Sequence, residues 1–360
     1  MKLIAVFAVF AFFASVSIAP FLCAGDPAIS DPTQVDAAYH YLGEYMGIWA
    51  GKPVAVQVST RKGDSLFYAK VFHGGLPGVG WDGTKPQVFN GNEAGSQLRL
   101  VAASGSALME VTPSKVTLAD TDNRAELKKV ARHGVTLGRA APAGAKILFD
   151  GTSTSAFKNA IMTSDKLLKT GAETVDPVGS CRLHLEFRTP YMPASEDQKR
   201  GNSGIYIQRR YEVQILESFG QEPLFNGCGA LYRQREPNLN MALPPLVWQT
   251  YDIFFTVASF DSQGKKVAPA QISVIHNGVP VHYRTAIAAK TGAGKPEGPE
   301  LLPLLLQDHS DPVVYRNVWM QPANSGSLTY IDCPVLSTEQ VLNFPGRTSE
   351  RMTLVGQLRP

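Results

Sequence analysis

Apolar and polar residues alternate with period two through most of the chain. In the first part, the runs at 54–58, 66–72, 98–101, 107–111 and 115–118 are separated by Gly, Asn and Asp clusters. Short alternating runs punctuated by turn formers predict strands. Only 34–46 reads as helical. The Gly-rich stretch 73–83 lacks the Gly-Lys-Ser/Thr ending of a phosphate loop and contains Pro77, so it is read as a structural loop. Residues 137–145 are small and rich in Ala, Pro and Gly, which marks a linker. Beyond it the strand signals strengthen, at 182–188, 203–208, 211–217, 248–257 and 313–320. A hairpin at 274–282 turns on Asn277-Gly278, the pair that suits a type I′ turn. The pattern predicts an all-β chain: a jelly-roll β-sandwich preceded by a small β-rich domain.

Alternation also sorts side chains by face. Leu183, Leu185 and Phe187 oppose His184, Glu186 and Arg188; Ile205 and Ile207 oppose Tyr206 and Gln208; Val213 and Ile215 oppose Glu212 and Gln214. Glu217 joins the Glu212 face only if a bulge shifts the parity after Gln214. These polar faces carry acids, amides, an imidazole and guanidiniums in place of the Thr and Lys of a merely wetted face. That composition points to a concave binding surface; the alternative is an outer sheet face laced with cross-strand ion pairs. His276 and His282 flank the hairpin turn and are read as surface residues, Trp248 and Trp319 as core, and Cys228 as a buried thiol or half-cystine.

The first residues read as an address. After Met1-Lys2, residues 3–19 carry no charge and Pro20 follows, the pattern of a secretory signal peptide. The expected organisation is a signal peptide at 1–24, a small β-rich domain at 25–137, a linker at 138–145, a jelly-roll domain at 146–322 and a tail at 323–360. The mature protein is expected to be secreted or periplasmic, with no membrane span. Of 4 cysteines, Cys23 lies in the leader, leaving Cys181, Cys228 and Cys333 with their pairing open. The formal charge of +3 is spread without a basic block, which argues against nucleic acid as a partner.

Glu212-x-Gln214-x-x-Glu217 resembles the Glu-x-Asp-x-x-Glu strand of laminarinase-type retaining glucanases, with an amide at the middle position. A longer set resembles the bacterial 3-keto-disaccharide hydrolase domain family. It comprises the string at 201–220, Leu148-Phe-Asp-Gly151, His184-Leu-Glu-Phe-Arg188, Cys228-Gly-Ala-Leu-Tyr232, Trp248-Gln-Thr-Tyr-Asp252, and Leu306-Gln-Asp-His309 followed by Arg316-Asn-Val-Trp319. Order and spacing agree over 146–321; Glu217 stands where many members have Asp. The first unit also resembles a region found in some members, of open role. The resemblance implies a concanavalin-like jelly roll that cleaves glycosides oxidised at C3. The ketone acidifies the C2 hydrogen, a base removes it, the C1 substituent leaves by elimination and water adds. It further implies Glu212, Glu217 and His309 as catalytic residues or metal ligands. Asn202, Tyr206, Gln208 and Gln214 would hold sugar hydroxyls, with Glu186, Arg188 and Arg316 orienting the carboxylates or the enolate oxygen. A carbohydrate is the expected partner and a divalent metal ion a candidate cofactor, with no nucleotide or flavin; the oligomeric state stays open. Two alternatives stand beside this: a non-catalytic carbohydrate-binding module, and a retaining glycosidase acting on unoxidised glycans through Glu212 and Glu217.

Overall fold

The computed structural model describes residues 28–60 and 67–323; the leader, Cys333 and the tail from 324 onward lie outside the described residues. Among the described residues no helix is long and apolar enough to cross a membrane.

The first unit is an eight-stranded antiparallel barrel. Its strands are β1 (Gly43–Trp49), β2 (Lys52–Thr60), β3 (Phe67–His73), β4 (Gln87–Ala94), β5 (Gln97–Ala102), β6 (Leu108–Val111), β7 (Lys115–Ala119) and β8 (Arg124–Val130). Each strand pairs with its sequence neighbour, and β8 closes on β1. Closure leaves no open sheet edge. Tyr45, Val56, Phe67, Phe89, Leu100 and Met109 fill the interior. The helix expected at 34–46 does not form. Two short 3-10 turns, Pro32–Gln34 and Ala37–Tyr41, lead straight into β1, because Tyr41 and Tyr45 are drawn into the barrel core. The stretch at 73–83 is a structural loop: Arg132 donates to the Pro77 carbonyl at 2.7 Å. Gly78, at φ +76°, rests against Met241 and Val279 of the second unit, where a Cβ would collide.

The second unit is a sandwich of two sheets. Its strands are β9 (Lys146–Phe149), β10 (Phe157–Lys158), β11 (Leu168–Lys169), β12 (Glu173–Pro177), β13 (Cys181–Arg188), β14 (Ser203–Ile207) and β15 (Tyr211–Ile215). They continue with β16 (Gln249–Thr256), β17 (Ser259–Phe260), β18 (Lys266–Ala268), β19 (Ala270–His276), β20 (Val279–Ile287), β21 (Pro303–Leu306) and β22 (Val314–Pro322). One sheet runs β10-β12-β21-β14-β15 and the other β11-β22-β13-β16-β19-β20, with β9 on β22; β17 and β18 form a separate ribbon. Ile205, Val213 and Leu306 from the first sheet meet Leu185, Ile253 and Val274 from the second in one core. Burying each such side chain contributes about 1.5–3 kcal/mol.

The hairpin between β19 and β20 turns on Asn277 at φ +51° and Gly278 at φ +91°, the two left-handed residues of a type I′ turn. Its histidines are not on the surface. His276 and His282 are both 0% exposed, held by hydrogen bonds to Gln249 Oε1 at 3.0 Å and to the Gly229 carbonyl at 2.8 Å. The segment between β15 and β16 supplies the second of these partners, so the long connection that covers the hairpin withdraws both rings from water. Cys181 and Cys228 are free and buried; burial pushes the Cys228 thiol up to about 11.

Candidate functional site

Strand β14 lies between β21 and β15, and its outward side chains meet theirs in register. Tyr206 stands opposite Glu212, and Gly204 opposite Gln214. The Gln307 backbone N–H donates to the Gly204 carbonyl at 2.8 Å, extending the row past the end of β21. Glu212 is fixed from its backbone, which donates to Thr291 Oγ1 at 2.6 Å. Its carboxyl lies against Gly204 and Gly292, two positions where a Cβ would press on it.

Burial raises the Glu212 pKa; a hydrogen bond from the Tyr206 hydroxyl lowers it, and burial wins, to about 7. Among the described residues no positive side chain offsets the charge there, so desolvation decides. Tyr206 is positioned in turn by the Ala293 N–H, which donates to its oxygen at 3.3 Å. Beside the carboxyl, Gln214 donates through Nε2 to Gln198 Oε1 at 3.0 Å, and Asn202 donates to the Gln198 carbonyl at 2.8 Å. Three buried acceptors in this row have no donor among the described residues: Glu212 Oε2, Gln214 Oε1 and Gln307 Oε1. Buried acceptors are nearly always satisfied, so three in one row fit a ligand that donates several hydroxyl hydrogens. Beyond Asn202, whose N–H donates to Asp311 Oδ2 at 2.7 Å, His309 is exposed at the rim and acts electrostatically on Asp311.

The other expected site residues lie elsewhere. Glu217 follows the end of β15, forms a buried ion pair with Arg200, and accepts the Phe219 N–H at 3.2 Å. Its charge is therefore already answered. Gln208 occupies the β14–β15 turn at φ +54° and donates to the Val178 carbonyl at 2.7 Å, so it serves that turn and not the row. Arg188 stacks over Trp248 at 5.1 Å and donates to the Ser30 carbonyl at 3.2 Å. Trp248 is half-buried between Arg188 and Arg316 and is not a core residue, whereas Trp319 is buried.

Glu186 and Arg316 belong to the other sheet, on the outer face of β13 and β22, where Arg316 Nε donates to Glu186 at 2.6 Å. The segment between the two units lies across that face. Thr136 donates to Asp252 at 2.7 Å, Gly138 to Glu186 at 2.5 Å, and Asn317 to the Arg139 carbonyl at 3.0 Å. His184 Nδ1 is 3.2 Å from Asp252 and its ring stacks on Trp319 at 4.9 Å. Burial alone would lower the His184 pKa, but its two carboxylates outweigh that and raise it. At Glu186 burial is outweighed by hydrogen bonds from His184, Asn317, the Gly138 N–H and Arg316, which bring its pKa down to about 2. Here the polar face is the floor of a covered seam.

Glu212, Glu217 and His309 therefore do not assemble as metal ligands: one has no ion-pair partner, one is held by Arg200 and one is exposed. Among the described residues no three His, Cys, Asp or Glu side chains converge as a metal site would require. Gln198, Gln307 and Asp311 enter the site beside the residues expected there. Gln198 lies in an irregular segment with no period to mark it; Gln307 stands inside a matched block.

The second unit is thus an all-β sandwich with a buried carboxyl, without an ion-pair partner among the described residues, on one outer face. Residues 144–321 match the model of the family described as 3-keto-alpha-glucoside-1,2-lyase-like, and the second unit is a domain of that family. A search of curated proteins found no match. Three solved structures from Parabacteroides distasonis, each provisionally named a glycosyl hydrolase, resemble about half of the chain. The first has 29% identity and a TM-score of 0.47, covering 51% of this chain and 85% of that one. The second has 16% and 0.37, covering 50% and 94%. The third has 20% and 0.36, covering 50% and 99%. The fold described above rests on its own sheet pairing and not on these likenesses.

Proposed function

We propose that this protein cleaves glycosides oxidised at C3 of the sugar, with Glu212 as the general base. The observation that carries the reading is the Glu212 carboxyl itself: buried, lacking a cationic partner, and raised to about 7 beside unpartnered acceptors on Gln214 and Gln307. A base is most effective with a pKa near the working pH. Glu212 takes the C2 proton, and the C–H electrons form the enolate of the C3 ketone. The enolate re-forms the ketone by expelling the C1 oxygen, which picks up a proton as the free alcohol. Water then adds to the enone, so the net change is hydrolysis. Tyr206 holds the carboxyl in place, while the free oxygens of Gln214 and Gln307 accept sugar hydroxyls.

The competing readings fit less well. A retaining glycosidase needs two carboxyl groups about 5–5.5 Å apart working together, and Glu217 is committed to Arg200. A pure binding module has no need of a carboxyl raised toward neutrality. The uncharged run at 3–19 supports action outside the cytoplasm. The test compares alcohol release from a 3-keto-glucoside and from its unoxidised parent, using wild type and Glu212→Gln. Release from the keto substrate alone, lost in the variant, supports the proposal. Equal cleavage of the parent overturns it in favour of the glycosidase, and sugar binding without turnover overturns it in favour of the module.

A further inference from the structure

The barrel meets the sandwich on both flanks of β15. Before β14, Tyr191 exchanges backbone hydrogen bonds with Ile29 at 2.8 and 3.0 Å, and its hydroxyl donates to Asp36 at 3.0 Å. Nine residues on, the Arg200 guanidinium donates to the Thr60 carbonyl and to Thr60 Oγ1, both at 2.9 Å, while pairing with Glu217. Arg200 is 2% exposed, so its own contacts to Thr60 and Glu217 are made out of water. After β15, the Ser59 and Tyr68 hydroxyls both donate to the Phe219 carbonyl, at 3.0 and 3.3 Å, and Lys70 reaches Glu222 at 2.7 Å.

Between the two anchors of the first flank stands Gln198. Its Nε2 donates to the Asn226 carbonyl at 3.0 Å and its Oε1 accepts from Gln214 Nε2 at 3.0 Å. Its main-chain carbonyl accepts from Asn202 at 2.8 Å. With its nitrogen engaged in this way, the Gln214 amide has one orientation, and Oε1 is left without a donor. Segment 191–200 has no regular structure beyond the 3-10 turn Asp197–Lys199, so the barrel contacts at its ends fix where Gln198 sits.

We infer that the N-terminal barrel is a positioning element for the sugar site: Thr60, through Arg200, seats the segment that carries Gln198, and Gln198 orients the Gln214 amide that receives a sugar hydroxyl. This deepens the reading of Glu212 as base and rests on it for the identity of the ligand. It gives the barrel a role in affinity for the sugar and separates that role from the proton transfer at Glu212. Gln198 and Arg200 are positioning residues, since each acts through Gln214.

The test uses the full chain with three variants, Gln198→Ala, Thr60→Val and Thr60→Ser, and measures KM and kcat on a 3-keto-glucoside. It also measures the pH at which kcat/KM is half-maximal and the calorimetric affinity for 3-keto-glucose. One lost or misaimed hydrogen bond to a sugar corresponds to about a tenfold loss of affinity. The expected result is a KM about tenfold higher for Gln198→Ala, a smaller rise for Thr60→Val, and recovery in Thr60→Ser. The half-maximal pH should stay at the wild-type value, because Glu212 is untouched. A Thr60→Val protein that melts lower yet binds 3-keto-glucose as wild type does would overturn the inference, leaving the seam as mere glue. If wild type binds the sugar without turning it over, the reading of Glu212 fails while the affinity series still decides the barrel's role. If neither binding nor turnover occurs, both fall.

Discussion

The sandwich carries two buried polar clusters, one on the outer face of each sheet, and they behave in opposite ways. On the seven-stranded sheet Glu186 and Asp252 are 1% and 0% exposed, but each has several donors or cations around it: Arg316, Asn317 and the Gly138 N–H for the first, His184, Arg182 and the Thr136 hydroxyl for the second. Both carboxyl pKa values are lowered. On the five-stranded sheet Glu212 is equally buried, at 1%, yet meets a tyrosine and two glycines, and its pKa rises to about 7. Burial is common to both. The difference lies in whether the surroundings answer the charge: an answered carboxylate holds a seam together, and an unanswered one is free to exchange a proton.

The largest effect expected from this contrast is kinetic. Glu212→Gln should lower kcat on a 3-keto-glucoside by about 10²–10⁴-fold, the usual contribution of a positioned base, with no fall in melting temperature because a costly buried charge is removed. Residual activity within threefold of wild type would place the base elsewhere. Next is Asp252→Ala, which strands the buried His184 and leaves Arg182 without its carboxylate. Breaking a buried pair costs about 3–5 kcal/mol, so chemical denaturation should show a loss of that size while the folded protein keeps its KM. A stability loss below about 1 kcal/mol would mean that the seam is not held by its charges.

Acidity separates the clusters further. A rise in kcat/KM across pH 7 is expected, because only ionised Glu212 accepts a proton, and the acid limb should vanish in Glu212→Gln. The stability signs are opposite. The folded pKa of Glu212 lies above its ordinary value of 4.5, so its contribution is full below that value and is lost as pH climbs toward about 7. The folded pKa of Glu186 lies below, so its contribution is present above 4.5 and is lost as pH falls toward about 2. His276 and His282 add to the acid side: burial pushes them down to about 3 and 4, so their contribution is present above 6.5 and drains away as pH falls toward those values. Urea midpoints measured at pH 4 to 8 for wild type and Glu212→Gln test the first sign. The difference between the two proteins should widen with pH, and a constant difference would refute it.

Period two made β13 to β16, the β19–β20 hairpin and β22 legible, and with them the facing of Tyr206, Glu212 and Gln214, but not the short strands β10, β11, β12, β17 and β18. It missed β1, β4 and β8 of the barrel. β4, with burial that follows no alternation, is paired on both sides by neighbours, so tertiary pairing and not its own pattern makes it a strand. Alternation was equally blind to what covers a face. Glu186 and Glu212 read alike along the chain, and only the course of 134–139 over one sheet and of 291–293 against the other tells them apart. The same holds for His276 and His282, which sit at a turn in sequence and beneath a long connection in space. Glu217 met its fate through Arg200, a residue outside any alternating run.

The smallest effect probes how closely the unpaired carboxyl is fitted. Gly204 is not in the left-handed region, so alanine is acceptable to the backbone there and only space is in question. An added Cβ would overlap Glu212 Oε1, lie 3.0 Å from its Cγ, and lie 3.1 Å from Gln307 Oε1. The flexible ends of both side chains can yield, so stability should change by less than about 1 kcal/mol. The carboxyl, however, must leave the position at which Tyr206 and the backbone hold it. Small misplacements of catalytic groups are costly, and a tenfold fall in kcat/KM, equivalent to about 1.4 kcal/mol of barrel-independent barrier, is the expected result. A change of comparable size on the other sheet should be felt as stability instead, since nothing there has to move a proton. A Gly204→Ala enzyme with wild-type kcat/KM would show that the carboxyl tolerates relocation, and that its raised pKa matters more than its place.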